Sequence, residues 1–323
     1  MWGVANREPI ERALRLSTMS LQRLAGGAAR CLPLLLIAAC GAQTEPLGAE
    51  PGKPAEPRPP VAAKPSVNLV PDGYDGRLRT PATVLESPRS GPQLCSAVME
   101  SYPPQCSGPP IKGWDWSAVR AESAAGTRWG AYVLTGTYDG TTFTLSEPAR
   151  PDNRRARGPA GGDELSTPCP APRGGWGPVE PAKATQASYQ AATRAAQTVA
   201  GFGGVWIDQQ IPAGRLTERN ANDPKRFVLN ITTAGDLAEM EQAVRAVWGG
   251  ALCVSPVARS AAELAQVVRS LPDIPGLISQ GTNTRTGQVE LALVIARESL
   301  QRRLDERFGA GVVRLSGALK PID

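Results

Sequence analysis

The chain has 323 residues, a net charge of +5 and no histidine. The lack of histidine excludes Ser-His-Asp and Cys-His nucleophile systems, the usual zinc sites and the usual general base near neutral pH. The composition therefore argues against most secreted hydrolases but does not exclude an enzyme, since carboxylate pairs can work alone.

A short apolar run, residues 32–39, ends at Cys40. It is far shorter than the ~20 residues of a membrane span and fits the apolar segment of a signal peptide, which takes ~7–15 residues. Arg23 and Arg30 supply the positive charge in front of it. Small residues before a cysteine resemble the signal of bacterial lipoproteins, in which Cys40 becomes the acylated (palmitate-bearing) first residue. An ordinary cleaved signal or a short buried helix is the alternative interpretation.

Composition predicts five parts along the chain. Residues 1–39 are the predicted signal, with Met19 as an alternative start, and residues 40–79 are a Pro/Ala-rich disordered tether. Residues 80–150 are a small β-rich domain, residues 151–183 a Pro/Gly-rich linker, and residues 184–323 an α+β domain. Removal of the signal lowers the net charge to about +2, which is too little to indicate a nucleic-acid partner.

The clearest strand signal of the β-rich domain lies at residues 129–138, where aromatic and β-branched residues dominate. Asp139-Gly140 and a second strand-like segment, 141–145, follow, so we predict a hairpin with Asp139 as a turn residue. A hairpin alone is marginally stable. Further strands are therefore predicted at residues 83–85 and within residues 111–119.

The last 140 residues alternate between strand and helix patterns. Strands are predicted at 204–208, 226–232, 251–254, 288–296 and 311–315. Helices are predicted at 185–199, 236–248 and 298–308, and a further helix opens with the capping box Ser260–Glu263. Strands separated by helices of this length indicate an α+β sandwich, with helices packed on a sheet.

Four cysteines remain outside the predicted signal and Cys40, and they allow three disulfide connectivities. Cys95–Cys106 is favoured because it closes a short Pro-rich loop, which leaves Cys169–Cys253 by elimination. No C-x-x-C pair is present, so structural disulfides are preferred to a metal site, and no cofactor is predicted.

Trp114, Asp115, Trp116 and Trp129 are the candidate binding residues. At two-residue spacing, Trp114 and Trp116 would share one face of a strand. Aromatic faces beside a carboxylate suit the stacking of a sugar, although aromatic residues equally serve as the core of a small β domain. Asp115 and Glu122 are the candidate acid pair of a hydrolase, but nothing in the sequence fixes their separation.

Four motifs, GPQLC (91–95), PPQC (103–106), GWDW (113–116) and GTYDG (136–140), resemble those of secreted proteins and lipoproteins from high-GC bacteria. That family has no established activity, and the resemblance implies an extracytoplasmic location and paired cysteines. Gly203–Asp208, followed by two strand-helix units, is also similar to the pro-segment modules of secreted bacterial serine proteases.

These observations predict a non-enzymatic binding module at the cell envelope, anchored to the lipid bilayer through acylated Cys40 and acting on a protein or glycan. The alternatives are a carboxylate-based cell-wall hydrolase and a pro-segment-like inhibitor or folding aid. A deep cleft with two opposed carboxylates beside the tryptophans would favour the enzyme, and an exposed aromatic patch would favour binding. Full burial of Trp114, Trp116 and Trp129 would count against binding.

Overall fold

A computed structural model describes residues 59–153, 165–209, 217 and 220–322. Within these ranges the chain forms sixteen strands and four α-helices, so the protein belongs to the α+β class, as predicted. The predicted signal, the lipidation site Cys40 and most of the predicted tether lie outside the described residues. No helix in the described part of the chain is long and apolar enough to cross a membrane.

The strands, in chain order, are β1 (Leu69–Val70), β2 (Leu78–Ser87), β3 (Ser90–Cys95), β4 (Ile111–Lys112), β5 (Glu122–Ala124), β6 (Thr127–Tyr138), β7 (Phe143–Leu145), β8 (Arg150–Pro151), β9 (Phe202–Asp208), β10 (Val228–Thr233), β11 (Ala251–Pro256), β12 (Leu277–Asn283), β13 (Gln288–Leu293), β14 (Ala296–Arg297), β15 (Val313–Gly317) and β16 (Lys320–Pro321). The helices are α1 (Gln186–Thr198), α2 (Leu237–Arg245), α3 (Ala261–Arg269) and α4 (Glu298–Phe308).

The first sheet is built around the long antiparallel pair β2 and β6. Its strand order is β16-β2-β6-β7-β4, with β3 added to β2, and β5 and β8 added to β6. The predicted hairpin is confirmed, because β6 and β7 pair across a turn that starts at Asp139. Alternate residues of β2 and β6, including Val84, Tyr132 and Leu134, point into one core, where each is at most 2% exposed.

The second half of the described chain uses one topology twice. In β9-β10-α2-β11, an antiparallel hairpin is followed by a helix and a strand that runs parallel to the second hairpin strand. The sequence β12-β13-α4-β15 repeats this arrangement. Each unit is preceded by a helix, α1 or α3. Helices therefore pack on sheets, as predicted, but there are two three-stranded sheets in place of one.

Each three-stranded sheet buries the apolar side of its own helices. Leu229 and Ile231 of β10 pack with Met240, Val244 and Trp248, all at 0% exposure. In the second unit, β13 and β15 pack against α3 and α4 through a separate core. The predicted capping box at Ser260 is confirmed at the start of α3.

Both predicted disulfides are present. The Cα atoms of Cys95 and Cys106 are 5.9 Å apart, and those of Cys169 and Cys253 are 5.8 Å apart. The second disulfide holds part of the predicted linker on β11, beside the partly buried Trp176.

Residues 40–79 were predicted to be a disordered tether, but the last part of this segment is folded in the structure. β1 pairs with β14, and the backbone N–H of Val67 donates to Leu315 O at 3.0 Å. The physical reason is burial: Val70 is 0% exposed, in a core that also contains Leu319. The short β16 pairs with β2, so the described residues form one compact unit rather than two separate domains.

Candidate binding site on the β sheet

The tryptophan motif lies in the connection between β4 and β5, not on a strand as predicted. Asp115 caps a 3-10 turn at Trp116–Ala118, where its Oδ1 accepts a hydrogen bond from the backbone N–H of Ser117 at 2.8 Å. Such local side-chain-to-backbone bonds compete with strand pairing. Trp114 and Trp116 therefore do not occupy equivalent positions on one strand face.

The two rings nevertheless meet. Trp114 contacts Trp116 edge-to-face, with centroids 5.1 Å apart, and contacts Tyr132 in the same way at 5.0 Å. Tyr132 is 2% exposed on β6, whereas Trp114 and Trp116 are partly buried. The pair is thus held on the sheet by a buried aromatic residue.

The side chain of Trp116 makes polar contacts with two charged residues. Its Nε1 donates to Glu86 Oε2 at 2.6 Å, and Arg128 donates to the other oxygen of Glu86 at 2.9 Å. The guanidinium of Arg128 also lies 5.3 Å from the Trp116 ring centroid. The hydrogen bond from Trp116, followed by that from Arg128, lowers the pKa of Glu86.

Trp129 does not join this cluster. It is three residues from Tyr132 on β6, so the two side chains point to opposite faces of the sheet. Trp129 is 8% exposed and packs with Leu85 and Cys95 in a small separate core. Trp129 is therefore a core residue next to the first disulfide. Trp114 and Trp116 are only partly buried, so an aromatic binding site formed by these two residues stays a prediction.

A depression of about 310 Å³ lies beside Trp114. Its walls include Asp115, Val119, Leu145 and Glu147. Trp114 Nε1 is buried and has no hydrogen-bond partner in the described structure. A buried donor without an acceptor costs free energy, so this unsatisfied group calls for an explanation.

The depression contains two carboxylates, of which the sequence prediction included only one. The hydroxyl of Ser117, and then its backbone N–H, bond to Asp115 and lower its pKa. Glu147 forms ion pairs with Arg77 at 2.7 Å and Arg150 at 3.3 Å. The predicted acid partner Glu122 instead lies on β5, in register with Trp129. Glu147 could not be found from spacing, because it reaches Trp114 through the pairing of β7 with β4 and β6.

Comparisons with known proteins assign no family to the chain. No protein-family model matches it, and no curated protein matches it. Among the described residues, no group of three or more Cys, Asp and Glu side chains is placed to hold a metal ion.

Proposed function

We propose that the protein is an extracytoplasmic lipoprotein that binds a glycan of the cell envelope without cleaving it. The observation that carries this proposal is that Trp114, whose indole N–H has no partner among the described residues, lines a depression together with Asp115 and Glu147. The face of a sugar ring stacks on an indole, and sugar hydroxyls both accept from an N–H and donate to carboxylates. The cavity volume, about 310 Å³, suits one small ligand unit.

Two features favour binding over hydrolysis. Carboxylate-based glycosidases need one protonated carboxylic acid to donate to the leaving oxygen. The lowered pKa of Asp115 keeps this group ionised, and Glu147 is held between two arginines. Asp115 is therefore suited to accepting hydrogen bonds from a ligand rather than to donating a proton, and Glu147 is already engaged by both arginines.

The proposed location rests on the lipoprotein-like segment that ends at Cys40. The two disulfides are consistent with an oxidising compartment. Acylation of Cys40 with two or three chains would make the membrane anchor effectively permanent. Mass spectrometry of the mature N-terminus tests this: an acylated Cys40 is expected, and an unmodified chain that retains residues before Cys40 would contradict it.

Replacement of Trp114 by phenylalanine tests the glycan site, because it keeps an aromatic ring and removes the N–H donor. Titration calorimetry with soluble N-acetylglucosamine oligosaccharides is expected to show binding to the native chain. The Trp114→Phe variant should bind about three- to tenfold more weakly, as the loss of one hydrogen bond implies.

Trp176→Phe is the matched control, since Trp176 is also partly buried but lies beside the second disulfide. It should leave the affinity unchanged. The proposal fails if the native chain binds none of these oligosaccharides, or if Trp114→Phe binds them as tightly as the native chain does.

A further inference from the structure

The loop closed by the Cys95–Cys106 disulfide projects two large apolar side chains into solvent. Tyr102 is 81% exposed and Met99 is 66% exposed, which makes them the two most exposed large apolar side chains in the described part of the chain. Aromatic residues and methionine are enriched at protein interfaces. This Cys95–Cys106 loop is therefore a candidate for contact with another protein surface.

The conformation of the loop is fixed before any such contact. The disulfide closes it, and the backbone N–H of Met99 donates to Gln105 O at 2.8 Å. The ring of Tyr102 meets the buried Trp129 edge-to-face, with the centroids 5.8 Å apart. A side chain that is already ordered in the free protein loses less conformational entropy when it binds.

A cavity of about 580 Å³ lies beside the base of the same loop. The loop base, the segment that follows it, the turn between β6 and β7, and the start of β12 form its walls. The wall residues include Ser96, Ala97, Pro109, Thr141, Leu277 and Ile278. None of its described wall residues is charged, and none of them also lines the depression beside Trp114.

Backbone hydrogen bonds hold these walls in place. The N–H of Leu94 donates to Pro109 O at 2.8 Å, which fixes the segment after the loop on β3. The N–H of Val294 donates to Gly276 O at 2.8 Å, which fixes the chain at the entry to β12. The cavity is therefore formed in the free protein, like the loop beside it.

The chemistry of the cavity matches the tip of the loop. Leu277, which is 39% exposed, and Ile278 offer apolar contact, while Ser96 and Thr141 supply hydroxyl-bearing residues to the wall. A tyrosine has an apolar ring and a polar end, so it suits a wall of this mixed kind. An uncharged wall also accepts a methionine without the cost of burying a charge.

Loop and cavity lie side by side on one surface, because Ser96 and Ala97 belong both to the loop and to the cavity wall. A surface with a projection next to a cavity is complementary to itself, and two-fold homodimers use patches of this kind. Glu100, which is exposed between Met99 and Tyr102, argues against insertion of the same tip into a lipid bilayer. These observations favour a second copy of the chain as the partner.

We propose that the protein forms a two-fold dimer in which the Cys95–Cys106 loop of each copy inserts Met99 and Tyr102 into the cavity of the other copy. The surface is separate from the depression beside Trp114. Dimerisation and glycan binding can therefore fail independently of each other.

Sedimentation velocity of the full chain tests the dimer, with Cys40→Ser present so that a lipid anchor cannot hold copies together. A concentration-dependent dimer is expected. Tyr102→Ser and Met99→Ser should each weaken dimerisation by about tenfold or more, as the loss of a central interface residue does. Val179→Ser is the matched control, because Val179 is 65% exposed but lies outside the loop and the cavity wall, and it should have no effect.

Two further measurements test the cavity side of the contact. Leu277→Lys places a charge in the wall and should also weaken the dimer. Benzoylphenylalanine at position 102 should, on irradiation, form a cross-linked dimer whose joined peptide contains cavity-wall residues such as Leu277.

The proposal is overturned if the chain is a monomer at every concentration, or if Tyr102→Ser dimerises as tightly as the parent chain. A cross-link to residues outside the cavity wall would also contradict it. A monomer that binds phosphatidylethanolamine–phosphatidylglycerol vesicles, and loses this binding in Tyr102→Ser, would overturn it in favour of a membrane contact.

Discussion

Asp139 lies in the turn between β6 and β7, where its Oδ1 accepts hydrogen bonds from the backbone N–H groups of Thr141 and Thr142 at 2.9 and 2.8 Å. These bonds, with one from the Thr141 hydroxyl, lower its pKa from 3.8 to about 2. The charged carboxylate therefore supports the turn that the sequence predicted.

Because the folded-state pKa lies below the unfolded value, the contribution of Asp139 to stability is present above about pH 4 and is lost as the pH falls toward about 2. Asp139→Asn should make the protein less stable near neutral pH, and the difference from the native chain should narrow in acid. Urea unfolding midpoints of both proteins across this range measure the effect. A difference that stays constant down to about pH 2 would contradict the assignment.

At the scale of the element, local contacts decide how well a segment can be predicted. α3 begins with a capping box in which Ser260 Oγ accepts from Glu263 N at 3.3 Å, while Glu263 accepts from Ser260 N at 2.7 Å. The bonds from Ser260 also lower the pKa of Glu263. β12, in contrast, is a largely exposed strand without clear alternation, and it forms by pairing with β13. The capping box was therefore predicted, and β12 was not.

Ser260→Ala removes the side-chain half of this capping box. It should lower the free energy of unfolding by about 1 kcal/mol, as measured by urea denaturation. Ser270→Ala makes the same serine-to-alanine change at the C-terminal end of α3. It leaves the N-terminal capping box of the helix intact, so it should have a much smaller effect. Equal losses in the two variants would show that the cap does not stabilise α3.

At the scale of the whole molecule, contacts made by the two ends of the described chain connect the β-rich domain and the α+β domain that were predicted as separate. Asn68 Nδ2 donates to Gly317 O at 2.9 Å, and β16 pairs with β2. The core of the first sheet includes Val294 and Leu319 from the second half. The β-rich and α+β regions are therefore expected to depend on each other for stability.

The two disulfides close loops of very different length, with sequence separations of 11 and 84 residues. In the loop-entropy model, loss of the shorter one costs about 3 kcal/mol and loss of the longer one about 4.5 kcal/mol. Cys169→Ser/Cys253→Ser should therefore be less stable than Cys95→Ser/Cys106→Ser in urea denaturation. The reverse order would show that native packing, rather than chain entropy, determines their contributions.

The predicted binding residues do not all lie together in the structure. Trp114 and Asp115 line the depression, but Trp129 lies on the other face of the sheet and Glu147 was missed. The spacing of a motif shows how far apart its own residues lie in the chain. It does not show which distant segments of the chain will pack beside the motif.

The sequence by itself determined the α+β class, the four helices and the β6–β7 hairpin, since periodicity and turn residues are readable over short distances. It favoured the disulfide pairing that the structure contains without excluding the other two connectivities. Only the tertiary structure decided that the segment before β2 joins the fold, that the αβ units repeat one topology, and that the Cys95–Cys106 loop and the start of β12 border one cavity. These features depend on contacts between segments that are far apart in the chain, and a strand finds its partner through the burial and pairing of the whole fold.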